Sequence, residues 1–506
     1  MSRGQIIGVV DDDADVRAAL HGLLNAFGYD AILYSSAHDF LEHDHTSVGC
    51  IILDIQMPGI SGLELQARLI EKGSTTPIIF MTGHLNARIR ERALRQGAFC
   101  VLGKPVDQDH ILSCIEKALG DQTPITSPEF LNLEEIAALA RSHDALNLAQ
   151  GFPDTAGPEI VRSMAASALL NGNNQYAPVN GLVALRSAVA KFYTERHRFP
   201  MMPDEVLITS GGTEALASSI LALVSPGDEV LVIEPMYDAY APLIRRAGGT
   251  VVAVRLSPPN WLLEEDAIRP LVTPKTRLLL LSQPANPMSH VFGFEELSML
   301  AQVCVDNDLT VISDEVWENV TFDQLPHRPL ASFPGMRGRT VKLGSAGKLL
   351  SLTGWKVGFV CAAANLLKKI SQMHKVLTFS TPPNLQTAVA YGLGLSDEVF
   401  VAERTRLAAS RDRFIRQVGE YGFKVLPSQA SYFVYLDLPG SGISLDDASF
   451  CRHAIENAQV ATIPLSALYL ASPCTSLLRV CFARSDEVLD EGARRLTEAR
   501  RMLQGS

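Results

Sequence analysis

The sequence predicts an α/β protein of two units, each built on a mostly parallel sheet. Short apolar runs of strand length alternate with amphipathic segments of helix length in both parts of the chain, as they do where helices cover both faces of a parallel sheet. The alternation stops at 121–130, where two prolines and several polar residues indicate a linker. We therefore expect one unit over 1–120 and a second over 131–506, with a smaller αβ subdomain that includes about 395–506.

Composition excludes several classes of protein. Hydrophobic residues make up 47% and charged residues 20% of the 506 residues, which is typical of a folded chain rather than a disordered, collagen-like or coiled-coil one. The net charge is −11, and no cluster of basic residues offers a positive face for nucleic acid or anionic lipid. No apolar run approaches the roughly 20 residues of a membrane span. We expect a cytoplasmic protein that binds neither nucleic acid nor membrane.

Predicted strands and helices alternate along the first unit. Each apolar run is short enough for a buried strand, and each helical segment places its apolar residues on one face. Strands are expected at 5–10, 50–55, 77–82 and 99–105, and helices at 14–28, 62–73, 86–97 and 107–120.

Acidic and other polar residues stand at the ends of these strands. Asp11 and Asp12 follow the strand at 5–10, Asp54 lies at the end of that at 50–55, Thr82 ends that at 77–82 and Lys104 lies at the end of that at 99–105. The carboxyl ends of parallel strands meet at one edge of the sheet, and three carboxylates that meet there need a hard divalent cation such as Mg²⁺. Such a site suits phosphoryl transfer onto Asp54, with Lys104 neutralising the phosphoryl charge and Thr82 donating to it.

These residues and their spacing resemble the response-regulator receiver family over 5–120. They fall within the stretches VVDDD, LDIQMPGISGLEL, MTGH and GAFCVLGKP. The resemblance implies a flavodoxin-like (βα)5 fold, a sensor histidine kinase as partner and Asp54 as phosphoacceptor. It also implies that Mg²⁺ is held by Asp11, Asp12, Asp54 and the carbonyl of Gln56. Val101 departs from the family, because many receivers carry an aromatic switch residue three positions before the lysine. The alternative is a receiver fold kept only as a dimerisation module.

The second unit contains a longer series of apolar strands, and several of them end in polar or charged residues. A helix is expected at 213–224, and the last part of the chain reads as a mixed αβ stretch. Strands are expected at 205–211, 229–235, 250–256, 276–283, 309–316, 340–345 and 355–362.

A lysine in the stretch SAGKLLSLTGWKVG (345–358) is the central candidate. Lys348 follows a strand among small residues, with Ser345 three positions before it and Lys356 eight after it. A lysine that forms an imine must reach an aldehyde and lose its proton near neutral pH. The nearby hydroxyl and positive charge fit an aldehyde cofactor that carries a phosphate.

Other strand ends supply the remaining groups of such a site. Gly212 and Thr213 begin a helix whose free N–H groups can bind the phosphate. Asp314 can pair with a pyridine nitrogen and keep the ring electron-accepting. Tyr237 offers a flat surface for the ring, and the amide of Asn286 can donate to the ring oxygen. Arg479, on a strand near the C-terminus, can bind the α-carboxylate of an amino acid bidentately.

With these residues the chain resembles the fold-type I pyridoxal phosphate aminotransferases of class I/II, in the kynurenine and methionine aminotransferase-like group. The most specific matches are NLAQGFPD (147–154), NNQYAPVNGLVALR (173–186) and TGWKVGF (353–359). The resemblance covers roughly 130–506 and implies that Lys348 binds the cofactor aldehyde covalently. It implies phosphate contacts from Gly212, Thr213, Ser345 and Lys356, and a place for Gly151 against the substrate. Tyr176 resembles the tyrosine that reaches the phosphate of a neighbouring subunit, which implies a homodimer with shared sites.

Two departures keep other chemistries open. Trp317 stands where the family usually has a tyrosine that donates to the ring oxygen, and NPMS (286–289) replaces Asn-Pro-Thr-Gly. The leading hypothesis is ping-pong transfer of an amino group from an amino acid to a 2-oxo acid, and we predict that phosphorylation of the first unit regulates it. The alternatives are a pyridoxal phosphate lyase, decarboxylase or oxidase on the same scaffold, and a signalling protein that senses an amino acid or the cofactor without turnover.

Overall fold

The computed structural model describes residues 6–43, 47–83, 92–104, 106, 111–112, 114–115, 118–119 and 133–504. The chain separates into two compact units, Met1–Glu129 and Phe130–Ser506. The linker predicted at 121–130 lies outside the described residues, as do parts of the helices predicted at 86–97 and 107–120.

The first unit contains a five-stranded parallel sheet with the order β2-β1-β3-β4-β5. Its central strands are buried along nearly their whole length because helices cover both faces, which explains their uninterrupted apolar sequences. The predicted α/β class is confirmed here. The strands are β1 Ile6–Val10, β2 Asp30–Tyr34, β3 Val48–Asp54, β4 Ile78–Thr82 and β5 Cys100–Gly103, and the named helices are α1 Ala14–Ala26, α2 Ala37–Glu42 and α3 Gly62–Glu71.

Side-chain caps define where the helices of this unit begin. The side chain of Asp13 accepts from the Asp15 N–H at 2.8 Å and so starts α1 directly after β1. Ser61 and Glu64 form a capping box at the start of α3, which follows β3 after a short loop. These abrupt starts leave the strand-end residues at the carboxyl edge of the sheet.

The second unit is built around a seven-stranded sheet with the order β7-β13-β12-β11-β10-β8-β9. All of its pairs are parallel except those of β13, which runs antiparallel to both neighbours. The predicted strands all form, as β7 Val206–Thr209, β8 Glu229–Glu234, β9 Thr250–Arg255, β10 Thr276–Ser282, β11 Thr310–Asp314, β12 Thr340–Ser345 and β13 Gly358–Cys361; the short β6 Leu146–Asn147 precedes them.

Helices cover both faces of this sheet and continue into the C-terminal part. None of the helices in the described part of the chain combines the length and the apolar character that crossing a membrane requires. The helices are α4 Leu133–Ser142, α5 Glu159–Asn171, α6 Val183–Arg196, α7 Gly211–Leu223, α8 Tyr240–Arg246, α9 Glu265–Ile268, α10 Phe294–Asp306, α11 Ala346–Leu349, α12 Ala364–Leu377, α13 Pro383–Leu393, α14 Asp397–Glu420, α15 Asp447–Ala458 and α16 Asp486–Gln504.

A second, smaller sheet lies in the C-terminal part, with the order β14-β15-β18-β17. The strand β6, near the start of the second unit, pairs with β16 in this C-terminal part, so the two ends of the unit pack together. The strands are β14 Lys424–Val425, β15 Phe433–Asp437, β16 Val460–Ala461, β17 Ile463–Pro464 and β18 Leu477–Cys481.

A buried ionic network lies beside the carboxyl end of β11. The Lys342 ammonium, 1% exposed, donates to Glu315 at 2.6 Å and to Glu318 at 2.8 Å. His327 contacts the same Glu315 at 2.8 Å, and the Tyr193 hydroxyl donates to Glu318 at 2.6 Å. Burial raises the pKa of Glu315, but the charges of Lys342 and His327 outweigh it and hold that pKa at about 2. The network therefore keeps the Glu315 carboxylate ionised inside the protein.

Replacing Lys342 with methionine is expected to lower the free energy of unfolding of the second unit by about 3–5 kcal/mol, because Glu315 and Glu318 lose their buried counter-charge. All three tryptophans lie in the second unit, so tryptophan fluorescence in urea reports on that unit alone. Arg337→Met is the matched control, since Arg337 pairs with Glu205 at 3.0 Å on the surface and its loss should cost less than about 1 kcal/mol. Equal small losses in the two variants would contradict this account.

Candidate active site

A cavity of about 340 Å³ opens at the carboxyl ends of the parallel strands of the second unit. It brings together residues that are far apart in the sequence, and Tyr176 alone of the predicted cofactor and substrate residues is not among those that line it. Tyr176 is 84% exposed and packs edge-on against Phe379 at 5.2 Å. The predicted residues that line the cavity are Gly151, Gly212, Thr213, Tyr237, Asn286, Asp314, Trp317, Ser345, Lys348, Lys356 and Arg479.

The amine of Lys348 lies in an apolar and aromatic environment. Lys348 is held in the short helix α11, where its N–H donates to Ser345 Oγ at 3.3 Å. Its Nζ donates to the Gly151 carbonyl at 2.9 Å and lies 4.3 Å from the centre of the Trp317 ring and 5.0 Å from that of Tyr432. Burial, with a contribution from the positive charge of Arg479, lowers the pKa of Lys348 to about 8. About a tenth of this lysine is therefore a free amine at pH 7, far more than for a lysine of ordinary pKa.

Asp314 lines the site at the end of β11. The hydroxyl of Tyr240, itself buried, donates to Asp314 Oδ2 at 2.7 Å, and the Val316 N–H donates to Oδ1 at 3.3 Å. Burial raises the pKa of Asp314, and these hydrogen bonds offset that rise only in part. A carboxylate in this environment gains stability from a cation placed beside it, such as a protonated ring nitrogen.

The start of α7 forms an anion-binding corner. Ser210 makes no side-chain cap, so N–H groups of the first turn remain available, and Gly211 adopts a positive φ of 83°. The ammonium of Lys356 lies beside this turn, 3.5 Å from Thr213 Oγ1. Ser345 completes the corner, because its hydroxyl accepts from Lys348 and can still donate its own proton.

Arg479 is a buried cation with unused hydrogen-bonding capacity. Only 8% of it is exposed, and its Nε has no hydrogen-bond partner among the described residues. Its guanidinium stacks 4.1 Å from the centre of the Phe433 ring, and Nη1 lies 3.5 Å from Asn286 Oδ1. Such a guanidinium is ready to bind a carboxylate, which would supply the missing partner.

The stretch around Gly151 is fitted closely to this site. A Cβ on Gly151 would lie 2.4 Å from Phe433, so only glycine allows the backbone to approach there. Arg484 holds the flanking residues by donating to the carbonyls of Asn147, Gln150 and Phe152. The Gly151 carbonyl is thereby held in place for its contact with Lys348.

Sequence reasoning missed several residues of the site. Tyr240 stands in the stretch EPMYDAY (234–240) beside Tyr237, but nothing in the sequence indicates that its hydroxyl reaches Asp314. Phe433, Leu468 and Leu133 also line the cavity, but they come from distant apolar stretches with no distinguishing pattern.

The donor set fits a phosphorylated pyridine aldehyde such as pyridoxal phosphate. The amine of Lys348, the carboxylate of Asp314 and the anion-binding corner at Gly212 line one cavity. The Nε of Arg479, which has no partner among the described residues, remains for a substrate carboxylate. Each polar group that such a cofactor carries finds a complementary group in this chain.

The first unit holds a separate polar site at its sheet edge. Lys104 Nζ donates to Asp11 Oδ2 at 2.6 Å and to Asp54 Oδ2 at 2.7 Å. Burial opposes the charge of Lys104, but these two carboxylates raise its pKa above the ordinary value. Carboxylate oxygens of Asp11, Asp12 and Asp54 all lie within 4.8 Å of one another, a spacing that suits one divalent ion. Thr82 is fully buried at the end of β4, and the Gln56 N–H donates to Asp54 Oδ1 at 3.1 Å.

Family models match both units. The aminotransferase class I and II model matches residues 143–496, and the response regulator receiver domain model matches residues 7–116.

Individual relatives agree with these matches. The chain is 38% identical over 369 residues to methionine aminotransferase of Escherichia coli, covering 72% of this chain and 94% of that protein. It is 34% identical over 390 residues to human kynurenine–oxoglutarate transaminase 1, covering 70% and 92%. The solved structure of N-succinyldiaminopimelate aminotransferase from Mycobacterium tuberculosis superposes with a TM-score of 0.70 at 40% identity, covering 72% of this chain and 96% of that one. The chain therefore belongs to the aminotransferase class I and II family, and a response regulator receiver domain precedes its aminotransferase part.

Proposed function

We propose that the protein is a pyridoxal phosphate-dependent aminotransferase that moves an amino group from an amino acid to a 2-oxo acid. The observation that carries this proposal is the buried Lys348 amine, with a pKa of about 8, in one cavity with Asp314 and Arg479. Bound pyridoxal phosphate would supply an aldehyde for the amino group and a ring that accepts electrons from the substrate.

Each residue of the site has a defined task in this proposal. Arg479 binds the substrate carboxylate and orients the Cα proton towards Lys348. Lys348 Nζ takes that proton and later returns it, a task that requires a pKa near the working pH. Asp314, held by Tyr240, balances positive charge at the ring nitrogen. The aromatic rings of Trp317 and Tyr432 keep water away from the amine.

The same geometry favours a ping-pong order. The amino donor and the 2-oxo acceptor both carry a carboxylate beside the reacting carbon, so both would use Arg479. Two ligands cannot occupy one guanidinium in the same orientation, and the first product must leave before the acceptor binds.

Trp317 is the observation that favours a second candidate, a lyase or decarboxylase on the same scaffold. Its ring packs 4.3 Å from Lys348 Nζ and edge-on against Tyr432 at 4.7 Å, so an indole replaces the acidic hydroxyl of the related enzymes. Only transamination needs a 2-oxo acid, so product analysis with and without added acceptor separates the two candidates. A colour change without turnover would instead indicate a sensing protein.

A homodimer is part of the proposal. Tyr176 and Val376 are more than four-fifths exposed, and Tyr176 contacts Phe379, which is itself 40% exposed. Exposed apolar side chains in contact with one another favour an interface. A second copy that covers them would bring Tyr176 towards the phosphate corner of its neighbour.

Lys348→Ala is expected to lower the turnover of amino acids to 2-oxo acids by about 10²–10⁴-fold, because the site loses its acid–base group. The amino donor is chosen by a screen on the parental protein. Borohydride reduction of the parental holoprotein should attach pyridoxal phosphate permanently to the peptide that contains Lys348. The control is Lys375→Ala, because Lys375 is an exposed lysine of α12 outside the cavity. Parental turnover in Lys348→Ala, or a tag on another lysine, would contradict the assignment.

The rate at which apoprotein takes up pyridoxal phosphate should follow the protonation of Lys348. Only the free amine attacks the aldehyde, so the rate should rise with pH, by about tenfold per unit well below the pKa, and level off above about pH 8. Stopped-flow absorbance over pH 6.5–10 measures this profile, with Nα-acetyl-lysine as the reference amine. A rate that climbs steadily beyond pH 9.5 would show that the lysine has an ordinary pKa.

We infer that the receiver domain accepts a phosphoryl group from a sensor histidine kinase on Asp54. Mg²⁺ would be bound there by Asp11, Asp12, Asp54 and the Gln56 carbonyl. The support is the convergence of these carboxylates with Lys104. Phosphorylation of Asp54 then changes the activity or the association state of the aminotransferase.

Treatment with acetyl phosphate and Mg²⁺ is expected to change kcat/KM on the order of fivefold or more, or to shift the mass measured by light scattering. Intact mass spectrometry should show one added phosphoryl group on the parental protein and none on the control, Asp54→Asn. Unchanged kinetics and mass in a protein that carries the phosphoryl group would indicate a passive receiver.

A further inference from the structure

One short segment of the C-terminal part contributes Leu468 to the wall of the cavity. Leu468 ends a 3₁₀ helix that spans Leu465–Leu468, and it lines the same cavity as Arg479. The helix follows β17 directly, and Ile463 of β17 stands opposite Arg479 in the pair with β18. The wall at Leu468 is therefore continuous with the sheet that carries the carboxylate-binding arginine.

The chain just after Leu468 is held by a buried carboxylate of the seven-stranded sheet. Glu234, at the end of β8, has no exposed surface, and its Oε1 accepts from the Leu470 N–H at 2.6 Å. The Met236 N–H also donates to the Leu468 carbonyl, at 3.0 Å. Hydrogen bonds to a carboxylate are stronger than those between neutral groups, so Glu234 contributes much of this attachment.

Arg255 joins the same carboxylate to the next residue of the segment. It stands opposite Glu234 in the pair of β8 with β9. Its Nε donates to Glu234 Oε2 at 3.1 Å, and its Nη2 donates to the Ala471 carbonyl at 2.6 Å. One planar guanidinium thus binds the strand end and the segment together, which a lysine ammonium cannot reproduce.

The chain just before Leu468 is held separately. Asp447, which is also fully buried, accepts from the N–H and from the hydroxyl of Ser466, both at 2.8 Å. Leu468 therefore lies midway between two attachments, at Ser466 and at Leu470. Loss of the second attachment would free Leu468 on one side while the segment stays bound to the protein on the other.

We propose that Glu234 and Arg255 are positioning residues for the amino donor, because they hold residues 468–471 against β8 and β9 and so fix Leu468 in the pocket wall. Neither of the two lines the cavity, so each acts through Leu468. This inference rests on the proposed function and adds to it what determines the fit of a large donor. The KM for a large apolar donor depends on Arg255, whereas kcat does not.

The first test compares two donors in the full-length holoenzyme. Arg255→Met should raise KM for a large apolar donor about fivefold and change kcat less than about twofold, because the loss concerns binding alone. The KM for alanine should change less than about twofold, since a methyl side chain has little surface to contact the wall. Arg255→Lys should give a smaller increase, because it keeps a positive charge beside Glu234.

Arg277→Met is the matched control for this comparison. Arg277 is an exposed arginine of β10, outside the cavity lining, whose Nη1 lies 3.3 Å from the carbonyl of the neighbouring Thr276. Its replacement should leave KM at the parental value for both donors. Equal changes for the two donors in Arg255→Met, the same change in Arg277→Met, or a larger one in Arg255→Lys would overturn the proposal.

The second test asks whether Arg255 acts through the pocket wall. Leu468→Ala should raise KM for the large donor about tenfold, because apolar contact with the donor is lost. Adding Arg255→Met to this variant should raise KM by less than about a further twofold, since the side chain that Arg255 positions is already gone. Two increases that multiply in the double variant would show that Arg255 acts independently of Leu468, and would overturn the proposal.

Hydrogen exchange supplies a measurement that does not depend on turnover. In Arg255→Met, the peptides that contain Leu470 and Met236 should exchange at least about tenfold faster than in the parental protein, and those of β18 should not change. Unchanged exchange at Leu470 would overturn the inference in an active enzyme. A parental protein without turnover would instead overturn the proposed function, and with it the role in donor binding, whatever the exchange shows.

Discussion

The burial of one amine, that of Lys348, is the constraint on which the active site depends. An ammonium group loses hydration inside a protein. In the part of the chain that the structure describes, a single carbonyl accepts from this one, and its other close contacts are the rings of Trp317 and Tyr432. The positive charges of Arg479 and Lys356 oppose its protonation further. Every feature that makes the site costly for a charged lysine makes it favourable for a neutral, nucleophilic one.

Two neighbouring carboxylates show how the same sheet edge shifts pKa values in opposite directions. Asp314 and Glu315 are adjacent in the chain and both buried, but burial raises the pKa of Asp314, while Lys342 and His327 hold that of Glu315 at about 2. The ionic network thus satisfies its own charges and contributes rigidity to the loop that begins with Asp314 and carries Trp317. Asp314 is left with a hydroxyl and an N–H as partners, so its negative charge is still available to a ligand.

The fold class and the groups that line the cavity could be predicted because they are encoded in short stretches. A few neighbouring residues are enough to predict each of three features: the strand that ends in Asp314, the glycine-rich turn at the start of α7 and the lysine after β12. Lys342 shows where this reasoning stops: a lysine inside a buried strand must have partners, but Glu315, Glu318 and Tyr193 come from elsewhere in the sequence. The pairing of β6 with β16 was equally hidden, since strands of two residues have no periodicity. The assigned roles of the site residues remain predictions.

The contact between Lys348 and Gly151 shows how the rest of the second unit fixes the position of the amine. Arg484 binds three carbonyls around Gly151, and a Cβ on Gly151 would lie 2.4 Å from Phe433. Hydrogen bonds are directional and resist small shifts, so this stretch of backbone keeps its carbonyl directed at the amine. The position of Lys348 therefore depends on residues from both ends of the second unit, and no single stretch of the sequence contains them all.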